Sequence, residues 1–158
     1  TVYETQLVGS ESWGSVCSGG RYDSLASDGR TTYPGVGISI GLTRLVHLLV
    51  ARRGLTASRS TPAAVLVAVN DEETREASRR VAAALRARGI PCEVAPSAAR
   101  FGKQIRYADR RGIPFVWFPG AAGASDQVKD IRSGEQVEAD AASWQCPEAD
   151  LRPGVITR

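Results

Sequence analysis

Three groups of residues in this chain of 158 have the types and spacing that chemistry needs. Ser18-Gly19-Gly20-Arg21-Tyr22-Asp23 sets two residues without side chains before a cation, a phenol and a carboxylate. Paired glycines let a ligand approach backbone closely, and an arginine beside them suits a carboxylate or a phosphate. The blander reading is a tight turn with a surface ion pair. Gly41-Leu42-Thr43-Arg44-Leu45 places an arginine in the first turn of a helix fed by an apolar strand, where it could clamp a triphosphate. Taken alone, such an arginine is more often a surface residue. Arg100, Lys103, Arg106, Arg110 and Arg111 fall on one arc of a helix, with Phe101, Ile105 and Ala108 on the opposite arc and Tyr107 near the basic side. That face suits phosphate neutralisation with a base stacked nearby, as in recognition of single-stranded RNA, and equally suits a solvated helix surface.

Other chemistries have little to stand on. The chain holds one histidine, His47, which reads as structural, so a His-rich zinc site is excluded and a Ser-His-Asp arrangement has a single possible base. No metal ligands are assigned. No G-K-[ST] follows the paired glycines, so they do not form a Walker loop. Cys17, Cys92 and Cys146 lie far apart and are odd in number, which argues against a disulfide framework and for a reducing, cytoplasmic setting.

The elements that must position these residues follow from periodicity and punctuation. Val2–Val8 and Ser15–Ser18 read as short strands joined by a GSESWG turn, and a polar loop is expected from Arg21 to Gly35. Val36–Ile40 reads as a buried strand. The helix after it has an apolar stripe at Leu42, Leu45, Val46, Leu49 and Val50, with Arg44 and His47 on the other side. Residues 52–62 have no apolar period and read as a linker. Beyond them, residues 63–69 form an apolar run of the fully buried strand type. Asn70 with Glu73 offers a capping box for the next helix. Arg88-Gly89-Ile90-Pro91 recurs as Arg111-Gly112-Ile113-Pro114, each time between a helix and a strand. Glycine suits a left-handed C-cap and proline blocks continuation, so each copy stops a helix. The result is β-α-β-α-β with parallel strands, then a hairpin of QVKDI and EQVEA, then an irregular tail from Ala141.

Composition agrees with a folded domain: 42% of residues are hydrophobic and 23% charged, and no apolar run approaches a membrane span. No secretory signal opens the chain, which lacks an initiator Met and has none elsewhere. The net charge of +3 is unevenly spread. Residues 61–112 carry ten basic and six acidic groups, whereas 113–158 carry four and seven, so any polyanion is expected to meet the middle third. Only Lys103 and Lys129 are lysines, the remaining cations being arginine.

In order and spacing, TVYE, CSGGRYDSL, PGVGISIGLTRL, FGKQIRYADRRGIPFV and VKDIRSGEQ resemble the C-terminal half of histidyl-tRNA synthetase. The resemblance covers nearly the whole chain and fades after about Ala142. It implies an α/β fold: a fragment of an antiparallel α+β class II core over residues 1–51, the linker 52–62, and an anticodon-binding domain with a mixed sheet over 63–158. It further implies that Gly19, Gly20, Arg21 and Tyr22 lie near the histidine substrate. GLTRL resembles class II motif 3, so Gly41 and Arg44 would bind ATP, Arg44 being the catalytic residue. Arg100, Lys103, Arg106, Tyr107 and Arg110 are the candidates for RNA contact.

The implied cofactors are ATP and Mg2+ as substrates of the full-length enzyme. The implied partners are tRNA-His and a second copy in a homodimer, with no membrane. Thr43 departs from the family's usual glutamate, and GAAGASDQ (residues 120–127) replaces its acidic segment. Motif 1, motif 2 and the R-G-L-D-Y-Y signature are not among these residues. The expectation is therefore a fragment of a histidine-tRNA ligase, inactive alone. The alternatives are a stand-alone tRNA-binding module and a regulatory synthetase paralogue, which FGKQIRYAD and its β-α context argue against.

Overall fold

The computed structural model describes residues 1–121 and 123–157, without the side chain of Arg53. Ala122, within the GAAGASDQ segment, and Arg158, the last residue of the expected second domain, lie outside the described residues. The chain divides into two compact units, Thr1–Thr56 with Thr157, and Ala57–Ile156.

In the first unit, β1 (Val2–Thr5), β2 (Cys17–Ser27) and β3 (Thr32–Ile40) form an antiparallel sheet in that order, with a 3-10 turn at Glu11–Trp13 between β1 and β2. Helix α1 (Leu42–Arg53) and the short strand β4 (Leu55–Ala57) follow. The polar loop expected over Arg21–Gly35 is instead a long hairpin, paired from Arg21↔Val36 to Ser27↔Thr32 with a bulge between Tyr22 and Ala26. Antiparallel pairing satisfies the backbone whatever the side chains are, so polar composition does not by itself mean a loop. At its tip Asp28 accepts the amides of Arg30 (2.8 Å) and Thr31 (2.6 Å).

Two burial expectations are corrected here. Val36, Ile38 and Ile40 are 76%, 66% and 63% exposed rather than buried. In α1, Leu48, which lies off the expected stripe, is buried, while Leu42, Val46, Leu49 and Val50 are exposed. The arginine-bearing face is the one held in place. The Arg44 guanidinium donates to the Ser15 carbonyl, and Arg52 donates to the Gly9 carbonyl (2.8 Å) and Ser10 hydroxyl (2.6 Å). Arginine can cover a surface with its apolar stem while its N–H groups satisfy loop carbonyls, which decides the orientation against simple amphipathicity.

The second unit holds β5 (Val65–Val67), α2 (Arg75–Ala87), β6 (Cys92–Val94), α3 (Phe101–Arg111), β7 (Phe115–Phe118), β8 (Asp126–Asp130), β9 (Gln136–Ala139), α4 (Glu148–Leu151) and all but the last residue of β10 (Val155–Thr157). Its five-stranded sheet runs β6-β5-β7-β8-β9, the first three parallel and the last two antiparallel to their neighbours. This is the expected mixed α/β architecture. The central strands are apolar at every position because both faces are covered. Val65, Val67, Phe115 and Trp117 meet Ala82 and Leu85 of α2, whereas Leu66 and Val116 meet Ala108 of α3 and Ile113. Trp117, Leu66 and Leu85 are fully buried, each contributing about 1.5–3 kcal/mol.

The repeated tetrapeptide makes the same cap twice. After α2, Gly89 (φ 78°) donates to Arg86 and Ile90 to Leu85; after α3, Gly112 (φ 72°) donates to Asp109 and Ile113 to Ala108. Both are Schellman motifs, with the hydrophobic residue after the glycine buried in each copy. Asn70, by contrast, does not cap α2. Its amide donates to the Pro119 carbonyl at 3.2 Å, while Asp71 accepts the Thr74 amide at 2.7 Å and shapes the turn before the helix.

The tail also departs from expectation, because it supplies core. Trp144 packs edge-on against Phe115 and Trp117 at 5.4 and 5.6 Å between ring centroids. Arg88 holds this segment through the carbonyls of Ala141 (3.0 Å) and Trp144 (2.7 Å). Arg59 reaches the carbonyl of Asp150 at 2.8 Å.

Candidate functional site

Gly19 and Gly20 sit in β2 between β1 and β3, where their lack of side chains serves packing first. A Cβ on Gly19 would collide with the Gly37 carbonyl and lie 2.6 Å from the Tyr3 hydroxyl oxygen, and one on Gly20 would lie 2.7 Å from the Thr1 carbonyl oxygen. The Tyr3 hydroxyl donates to Gly37 at 2.7 Å across this glycine floor. Tyr22 lies over Gly37, and together with Val2, Glu4, Ser18, Gly19, Ile38 and Ser39 they line an open cavity of about 380 Å³. Arg21 is not among the lining residues. Its guanidinium pairs with Asp23 at 2.7 Å in solvent, the surface ion pair of the blander sequence reading, but on strand β2 rather than in a tight turn.

Gly41 and Arg44 open onto a second cavity of about 790 Å³, whose walls include Trp13, Ser15, Ser18, Ser39 and His47. Ser18 and Ser39 pair across β2 and β3 and line both cavities. The two differ in charge. Glu4 is the carboxylate on the first, and the second has Arg44 and no carboxylate among its lining residues. Sequence reading missed Glu4, Ser39 and Trp13. Strand register joins Glu4 and Ser39 to Ser18, and register is not written in any one strand, whereas Trp13 reaches its cavity from the 3-10 turn between β1 and β2.

On the second unit, Arg100, Lys103, Arg106 and Arg110 are exposed. Among the described residues none of them has a carboxylate within salt-bridge distance. Arg111 and Tyr107 turn away from this arc toward β6. There Glu93 accepts from Thr61 (2.5 Å), the Tyr107 hydroxyl (3.1 Å) and Arg111 (3.2 Å), with the Arg111 guanidinium 5.5 Å from the Tyr107 ring centroid. Burial pushes the Glu93 carboxyl up, but the three donors outweigh it and hold the pKa below the ordinary glutamate value. The Tyr107 hydroxyl is raised by burial and by Glu93. Gln104 fixes the opposite face of α3, exchanging hydrogen bonds with both the carbonyl (2.8 Å) and amide (3.0 Å) of Val69.

Residues 63–143 match a family model described as an anticodon binding domain. The chain belongs to that anticodon-binding family. The domain's relatives extend the likeness over both units. The histidine-tRNA ligase of Cutibacterium acnes is 68% identical over 160 residues, covering 99% of this chain and 35% of that protein. That of Micrococcus luteus is 60% identical over 158 residues, covering 98% and 34%. The crystal structure of histidyl-tRNA synthetase from Nostoc superposes with a TM-score of 0.52 at 41% identity, covering 89% of this chain and 35% of that one. The chain thus spans about a third of the length of the curated relatives it matches.

Proposed function

We propose that this chain is part of a histidine-tRNA ligase, with residues 1–51 belonging to its catalytic core, 52–62 a linker, and 63–158 the domain that binds tRNA-His. The observation carrying this reading is the 68% identity that runs through both units, joined to the anticodon-domain match over 63–143. The alternative of a stand-alone tRNA-binding module does not account for likeness across the first unit.

The reaction on this reading is activation of histidine by ATP to the adenylate, followed by transfer to the 3′ end of the tRNA, in a homodimeric, cytoplasmic enzyme. Catalysis of this kind rests on positioning and charge stabilisation. Histidine would occupy the glycine-floored cavity beside Tyr22, with Gly19, Gly20 and Arg21 shaping or flanking it. ATP would lie at Gly41, with Arg44 on its phosphates. Hydroxyls and one guanidinium suit phosphate oxygens but form no Mg2+ ligand set, so the metal would arrive with the nucleotide. Between them the two cavities present a single carboxylate and a single guanidinium, Glu4 and Arg44. The 158 residues alone are therefore expected to give no histidine-dependent ATP-pyrophosphate exchange above background.

Arg100, Lys103, Arg106 and Arg110 form the RNA face, with Tyr107 at its margin. Exposed cations free of carboxylates are the groups that exchange counterions for phosphates. Fluorescence anisotropy with a labelled tRNA-His anticodon stem-loop tests this. Arg106→Ala with Arg110→Ala should weaken binding and lower the salt slope by about 2, one for each lost phosphate contact. An unchanged affinity and slope would remove α3 from the interface.

A further inference from the structure

A third cavity, of about 280 Å³, lies within Ala57–Ile156, and none of the RNA-face cations Arg100, Lys103, Arg106 and Arg110 is among its lining residues. It sits where the C-terminal end of α3, the segment before β5, the β8–β9 turn and α4 meet. Ile113, Pro114 and Ile131 give it an apolar side, Ile113 being fully buried. Its charged groups fall into two sets. Arg59 spends its guanidinium on the carbonyls of Thr61 (3.1 Å), Pro62 (3.0 Å), Asp150 (2.8 Å) and Leu151 (3.3 Å). Arg132 is shared between the carboxylates of Asp130 (2.7 Å) and Asp150 (2.8 Å). These contacts build the wall and leave the groups that make them little to offer a ligand.

Asp109 and Arg152 form the second set. Both line the cavity and are exposed, and among the described residues neither makes an ion pair. Asp109 belongs to the last turn of α3, where the partial negative charge of the helix end adds to its carboxylate in favouring a cation. Arg152 directly follows α4 and carries the fork-shaped donor set that matches a carboxylate. One open acceptor, one open donor and an apolar wall call for a small ligand that carries both charges. The volume falls just under the range of about 300–1,000 Å³ usual for small-molecule clefts, which favours a ligand of amino-acid size.

We propose that this cavity binds a free α-amino acid with an apolar side chain, its ammonium on Asp109, its carboxylate on Arg152 and its side chain against Ile113, Pro114 and Ile131. The site shares no lining residue with the two cavities described for the first unit, so it stands or falls apart from the function assigned to them. Amide NMR spectra of the whole chain titrated with L-leucine test it. N-acetyl-L-leucine, which lacks the cation, and L-leucinamide, which lacks the anion, are titrated alongside. Leucine should move the Gly112, Ile113 and Ile131 amides with a Kd on the order of millimolar, the scale open to so few atoms. Each blocked form should bind about tenfold or more weakly, the range for a lost hydrogen bond to a charged group.

Asp109→Asn should abolish the preference for leucine over N-acetyl-leucine, and Arg152→Gln the preference over leucinamide. Both positions are exposed, so neither change threatens the fold. Failure of leucine to move these amides overturns the proposal. So do equal affinities for the three ligands, and so does an unchanged preference in either variant.

Discussion

Glu93 shows how one side chain can settle the environment of several others. Its carboxylate gathers a hydroxyl, a phenol and a guanidinium from the segment before β5 and from α3, and so removes Tyr107 and Arg111 from the pool of free groups on the basic helix. Because the folded-state carboxyl titrates below its usual value, its stabilisation is present at neutral pH and lost as pH falls through the acidic range. Glu93→Gln should therefore cost about 1–2 kcal/mol at pH 7, a charged hydrogen-bond hub discounted for partial exposure. The gap to wild type should close towards pH 3. Urea midpoints at the two pH values measure it, and a gap independent of pH would contradict the assignment.

At the scale of elements, the duplicated Arg-Gly-Ile-Pro stops offer an internal control. Both glycines are left-handed, at φ 78° and 72°, but a Cβ on Gly89 meets nothing within 4 Å, whereas one on Gly112 would lie 2.8 Å from the Arg59 Cβ. Gly89→Ala should thus cost about 1–2 kcal/mol, the penalty for an L side chain in that region. Gly112→Ala should cost more, because Arg59 must move while its guanidinium is held by backbone carbonyls. Thermal unfolding of the two variants gives the order directly, and equal losses would refute the steric part. The arginines gain meaning at this scale too. Arg52, Arg59 and Arg88 each donate to more than one acceptor, a role a lysine's single point charge does not reproduce.

The whole molecule divides its stability unevenly. Among the described residues, Val16 and Leu48 are the buried hydrophobics of Thr1–Thr56, against twenty in Ala57–Ile156. Area removed from water drives folding, so the second unit should carry most of the protection. Hydrogen exchange should be slow at residues 65–69 and 115–118 and fast along β2 and β3, where the backbone is paired but most residues are exposed. Comparable protection in the two regions would show that the first unit has a source of stability other than burial.

Local chemistry was legible in the order of residues. Helix stops at Gly89 and Gly112, the parallel core strands and the basic arc of α3 all follow from conformational limits and periodicity, which act within a few residues. The three-dimensional arrangement decided what periodicity leaves open. Periodicity says which residues share a face, but not which face finds a partner, so α1 is held through Arg44, Arg52 and Leu48 while Leu42, Val46, Leu49 and Val50 of its apolar stripe stay exposed. Glu93 and Tyr107 meet across a β-α connection, and Trp144 enters a core built mostly by strands far earlier in the chain. Such contacts depend on how elements are laid together, and no local pattern carries that information.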